Sequence, residues 1–108
     1  MQEKDIIASE NVPLACALTP EELGAREKEL HKLFPHSQQV QELSNGYAFQ
    51  YPCEKAWIDK LTNFIVEERA CCPFFTFELL FEPAQGPLWL RIYGREGVKD
   101  IMREEFLA

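Results

Sequence analysis

Residues 54–82 read EKAWIDKLTNFIVEERACCPFFTFELLFE, and the apolar spacing in this stretch changes at Pro73. Before the proline, Trp57, Ile58, Leu61, Phe64 and Ile65 recur at helical intervals, the stripe of a helix with one face toward a core. After it, Phe75, Phe77, Leu79 and Phe81 alternate with Thr76, Glu78, Leu80 and Glu82, the period-two pattern of a half-buried strand. Proline lacks a backbone donor and drives the preceding residue out of helical geometry, so the helix should end at Cys71-Cys72.

Downstream, Pro83-Ala84-Gln85-Gly86-Pro87 is a turn, and Leu88, Leu90 and Ile92 then alternate with Trp89, Arg91 and Tyr93. A short last helix should start near Glu96 and bury Val98, Ile101, Met102 and Phe106. Upstream, Tyr47, Phe49 and Tyr51 share one strand face, and Ser44-Asn45-Gly46 joins them to an earlier strand from Val40 to Leu43. Asn-Gly between two β-prone runs is a strong hairpin signal. Further back, Thr19-Pro20-Glu21-Glu22 combines an N-cap, a first-position proline and a capping box. That helix should run to about Phe34, stopped before Pro35, with Leu23, Arg26, Leu30, Leu33 and Phe34 on one side. Residues 12–18 read as an extended lead-in and residues 1–12 as a polar, flexible segment.

The resulting order is α-ββ-α-ββ-α. Helices with one apolar face and strands with one apolar face bury them against each other. The expectation is a single α+β domain over residues 13–108: a two-layer structure whose four-stranded antiparallel sheet, built of two hairpins, carries its helices on one face. The 108 residues are 46 % hydrophobic and include eight Phe, two Trp and three Tyr, enough for a core that needs no metal or disulfide to fold.

The net charge is −7, and the eleven Lys and Arg are scattered singly. Phosphate neutralisation needs clustered cations, so neither nucleic acid nor an anionic membrane surface is an expected partner. No apolar run marks a secretion signal or a membrane span. The expected compartment is the cytoplasm, where thiols remain reduced.

At 100° per residue, Glu68 falls in the middle of the apolar stripe of the second helix, while Glu67 falls toward Lys60 and Asn63. A bare buried charge costs several kcal/mol, so Glu68 requires a cation, a proton or a metal. Arg26, on the apolar side of the first helix, is the structural partner to expect. Cys72 lies one turn beyond Glu68 and Cys71 at the edge of the same stripe. Neighbouring Cα atoms about 3.8 Å apart are too close for an ordinary disulfide, but two thiols there can converge on one soft ion. With Cys16, just before the first helix, they form a candidate three-thiol site for zinc or another thiophilic metal, with Glu68 as neighbour or fourth ligand. Cys53, beside Pro52, reads as a packing residue. His31 and His36 have no recognisable partner.

A nucleophilic role for Cys71 or Cys72 meets an electrostatic objection, since a helix C-terminus and two glutamates raise thiol pKa values. Cys16 is the better placed thiol for chemistry. The segment Glu67-Glu68-Arg69-Ala70-Cys71-Cys72-Pro73-Phe74-Phe75-Thr76-Phe77-Glu78 resembles a small bacterial family with an E-R-x-C-C-P-F-F core. The lead-in Cys16-Ala17-Leu18-Thr19 and the closing Gly94-Arg95-Glu96-Gly97-Val98 are similar to it as well. The resemblance spans most of residues 14–106 and implies one intact domain; it carries over no activity and no catalytic residue. The expected function is binding of a soft metal or metalloid through Cys16, Cys71, Cys72 and Glu68. The alternatives are an interaction or dimerisation module using a Trp89/Tyr93 face, with structural cysteines, and a thiol enzyme using Cys16.

Overall fold

The computed structural model describes residues 13–15 and 19–107. The capping box forms as its sequence requires. The Thr19 amide donates to Glu22 Oε1 (2.9 Å) and the Glu22 amide to Thr19 Oγ1 (3.2 Å), which opens helix α1 (Pro20–Leu33). Pro35 does not end the helical path abruptly. The α-helix stops at Leu33, and Phe34–His36 continue as one 3-10 turn with Pro35 near its start, where a missing donor costs nothing. Tyr51 Oη donates to the Leu33 carbonyl (3.1 Å), satisfying an acceptor at the end of α1 and tying it to the sheet. Arg26, Leu33 and Phe34 are buried as expected of that face; the side chains of Leu23 and Leu30 lie outside those described.

The strands are β1 (Gln39–Leu43), β2 (Gly46–Tyr51), β3 (Thr76–Phe81) and β4 (Leu88–Tyr93), all antiparallel in the order β1-β2-β4-β3. Helix α2 (Lys55–Cys71) crosses from β2 to β3, and β4 inserts between those two strands. Helix α3 (Val98–Glu105) follows β4. The register stacks Tyr47, Phe49 and Tyr51 opposite Ile92, Leu90 and Leu88, with Phe77, Leu79 and Phe81 on the far side of β4. This is the helix-facing side, and β4 alternates buried and half-buried residues along it. At its centre Phe34 stacks on Phe106 (centroids 4.6 Å apart) and meets Phe64 edge-on (5.3 Å), an arrangement that ring quadrupoles favour.

The opposite sheet face has Leu80, Trp89 and Tyr93 among polar groups. Tyr93 Oη and Arg91 Nη1 donate to the two carboxylate oxygens of Glu78, each at 2.8 Å, and Trp89 donates its ring N–H to Glu82. Among the described residues no helix is long and apolar enough to cross a membrane.

Both hairpins form, but their turns differ from the simplest reading. In the first, Gly46 opens β2 with an ordinary negative φ rather than supplying a left-handed turn residue. Its role is close approach: a Cβ there would sit 2.0 Å from the Ile92 carbonyl oxygen. In the second, the left-handed positions fall to Ala84 and Gln85, both at φ 59°, while the Gly86 amide donates to the Pro83 carbonyl (3.1 Å). Two side-chain-bearing residues thus hold a conformation that glycine or asparagine adopts at lower cost.

Candidate metal centre

The last turn of α2 brings the site together. Glu68 and Cys72 lie four residues apart, and Cys71 adjoins Cys72, so the end of one helix presents all three side chains to the core. Cys72 is the cap residue, at φ −128° and ψ 80°, and its amide still donates to the Glu68 carbonyl (2.7 Å). Pro73 forces this departure from helical geometry, and it swings the two thiols into contact at an Sγ–Sγ separation of 3.3 Å. That is well beyond a disulfide bond of about 2.05 Å. The helix phase expected from the sequence is the observed one: Glu68 is 1 % exposed, and Cys71 and Cys72 are equally hidden.

Arg26 reaches Glu68 from α1. Its Nε (3.1 Å) and Nη2 (2.8 Å) both donate to Glu68 Oε1, while Nη1 donates to Glu67 Oε1 at 3.1 Å. The guanidinium also lies 5.2 Å from the centroid of the Phe64 ring. Arg26 is 8 % exposed, so its charge is largely withdrawn from water with its partner. The buried pair predicted for Glu68 is therefore present. The second arm to Glu67 was not evident from the helical wheel, which sets Glu67 beside Lys60; a reach as long as arginine's covers both adjacent positions.

Burial pushes the Glu68 carboxyl pKa upward, and Arg26 together with a hydrogen bond from the Cys72 thiol pulls it only part of the way back. Cys72 is raised much further, by burial first and then by the negative field of Glu68, with Cys71 and Glu105 of α3 adding to it. The Cys72 thiol thus stays protonated at neutral pH unless a cation takes the place of its proton.

One ligand atom each from Glu68, Cys71 and Cys72 lies within 4.8 Å of the others. A zinc–sulfur bond is about 2.3 Å, so two sulfurs on opposite sides of one ion span about 4.6 Å, and at a tetrahedral angle about 3.8 Å. The three atoms are therefore near enough that a small shift of side chains could bring them onto one ion. Cys16, the third thiol of the expected site, lies outside the described residues. Cys53 is half-buried against the core in its expected packing role. His36 is exposed on the 3-10 turn, its ring 6.2 Å from that of Trp57. The side chain of His31 lies outside those described.

No family model, curated protein or solved structure matches this chain. The case for function therefore rests on the chemistry of the buried group itself: a carboxylate and two thiols gathered at one helix end, beside the Arg26 guanidinium.

Proposed function

We propose that this protein binds a soft metal or metalloid ion through Cys71 and Cys72, with Glu68 beside them and Cys16 as a third thiol. The observation that carries this reading is the convergence of three buried ligand atoms within 4.8 Å. Charge balance supports a divalent ion in particular. Arg26 already offsets Glu68, and one divalent cation replacing two thiol protons leaves the net charge of the buried group unchanged. Two thiols favour a thiophilic ion such as zinc or a softer metal over magnesium or calcium, which prefer oxygen donors. The raised pKa of Cys72 speaks against the competing reading of a cysteine nucleophile at that position.

The test uses protein purified without chelator or added metal. One equivalent of zinc or cadmium should give a thiolate charge-transfer absorption and protect Cys71 and Cys72 from alkylation, as read by mass spectrometry at each cysteine. The C71S/C72S variant should lose both signals. Protection of Cys16 in the same experiment would identify the third thiol. Unchanged alkylation of the pair with every thiophilic ion offered would refute the proposal and leave the two cysteines as core-packing residues.

A further inference from the structure

Cys71 and Cys72 are consecutive, their backbone is set by the end of α2 and by Pro73, and both side chains are packed into the core at 2 % and 1 % exposure. Changing their Sγ–Sγ separation of 3.3 Å means rotating a thiol inside that packing. With bonds of about 2.3 Å, as zinc makes to thiolate, this separation subtends about 92° at a shared atom. A tetrahedral ion needs the sulfurs about 3.8 Å apart, and a linear two-coordinate ion about 4.6 Å. A right angle is instead the bond angle of a trivalent p-block centre, which bonds through mutually perpendicular p orbitals and keeps a lone pair. The number of ligands points the same way. A closed zinc site takes four, whereas the described group offers two thiols and Glu68, whose Oε1 already accepts two hydrogen bonds from Arg26. A trivalent centre needs three bonds, and the thiols supply two of them.

We propose that the ligand of this centre is a trivalent metalloid hydroxide, with arsenous acid as its type. The proposal rests on the reading of Cys71 and Cys72 as ligands and names what they take. Each thiol passes its proton to one hydroxide of arsenous acid; two As–O bonds break, two As–S bonds form, and two waters leave. Arsenic stays trivalent throughout, so neither an oxidant nor a reductant takes part. The As–OH unit left on the sulfurs replaces two thiol protons, as a divalent cation would, and the charge of the buried group is unchanged. Glu68, beside the pair, accepts a hydrogen bond from the remaining hydroxyl. A third thiol such as Cys16 would displace that hydroxide with loss of a third water.

The reduced full chain, free of added metal, is equilibrated separately with sodium arsenite, zinc and cadmium. Alkylation is read at each cysteine, adducts by intact-mass spectrometry, and the arsenic neighbours by X-ray absorption. Arsenite should bind once per chain, with two or three sulfurs around arsenic, and protect Cys71 and Cys72 at concentrations about tenfold below those zinc requires. Because the folded chain presets the angle, arsenite should also raise the urea midpoint. Cys71→Ser and Cys72→Ser should each weaken arsenite binding by about a hundredfold or more, since the second bond of the chelate is lost. Cys53→Ser serves as the control and should change nothing. Absence of an adduct, fewer than two sulfur neighbours, tighter binding of zinc, or a midpoint lowered by arsenite would each overturn the metalloid assignment. Protection by zinc or cadmium alongside any of these results would retain the pair as a metal site, and protection by none of the three would remove both readings.

Discussion

Replacing Arg26 by methionine keeps an unbranched apolar stem and removes the only cation that contacts buried Glu68 among the described residues. The stranded carboxylate has one inexpensive route, which is to take up a proton. From the ordinary glutamate value of 4.5, protonation at pH 7 costs about 1.4 kcal/mol for each of roughly 2.5 pH units, or about 3.4 kcal/mol. This agrees with the roughly 3–5 kcal/mol that breaking a buried pair usually costs. Because Glu68 is already raised above the ordinary value in the parent, about 3 kcal/mol is the upper limit of the loss at pH 7.

The loss should also depend on pH, with a definite sign. In the variant, folded Glu68 titrates above its unfolded value, so near neutrality the folded state holds a proton that the unfolded state has released. Stability is then highest below about pH 4.5 and falls as pH rises toward the folded pKa. Relative to the parent, the variant should recover up to about 1.4 kcal/mol per pH unit as pH is lowered from 7, and less as the pH approaches the parent's own raised Glu68 pKa. Urea unfolding at pH 7, 6 and 5 measures this directly. With a slope of about 1–1.5 kcal/mol/M, the midpoint should drop by up to about 2 M at pH 7 and by much less at pH 5. In R26M/E68L, where apolar groups replace the whole pair, most of the stability should return. A loss below about 1 kcal/mol at pH 7, or one that does not vary with pH, would refute the account of Glu68 as a buried charge held by Arg26.

Because Cys72 is raised far above an ordinary thiol, metal uptake must release protons. The zinc affinity of Cys71 and Cys72 should rise by up to about two log units per pH unit near neutrality, whereas a pH-independent affinity by competition titration would exclude thiolate ligation. Gln85→Gly relieves a side chain at φ 59° and should stabilise the fold by about 0.5–1 kcal/mol in urea unfolding; destabilisation would show that Gln85 makes a compensating contact. Gly46→Ala drives a Cβ into the Ile92 carbonyl and should cost on the order of 2–3 kcal/mol, and a neutral substitution would contradict the β2–β4 register.

The capping box, the helix-to-strand change at Pro73 and the burial of Glu68 were legible because each depends on spacing along a single element. Pairing Arg26 with Glu68 required only that two apolar helix faces meet. The insertion of β4 between β2 and β3 was not legible, since alternation marks the faces of a strand and not its neighbours. Gly46 was read as a turn residue because Asn-Gly is a local signal, whereas its actual constraint comes from β4, more than forty residues away. Nothing in the composition of the turn marked Ala84 and Gln85 for the left-handed region.

The strand order bears on how the thiols are reached. Glu68, Cys71 and Cys72 gather at one helix end, yet the core that buries them also takes in Ile92 of β4, which lies between β2 and β3, and Val98, Met102 and Phe106 of α3. All of these close over the group, so an ion bound there as proposed would enter or leave the finished protein only as fast as that core opens.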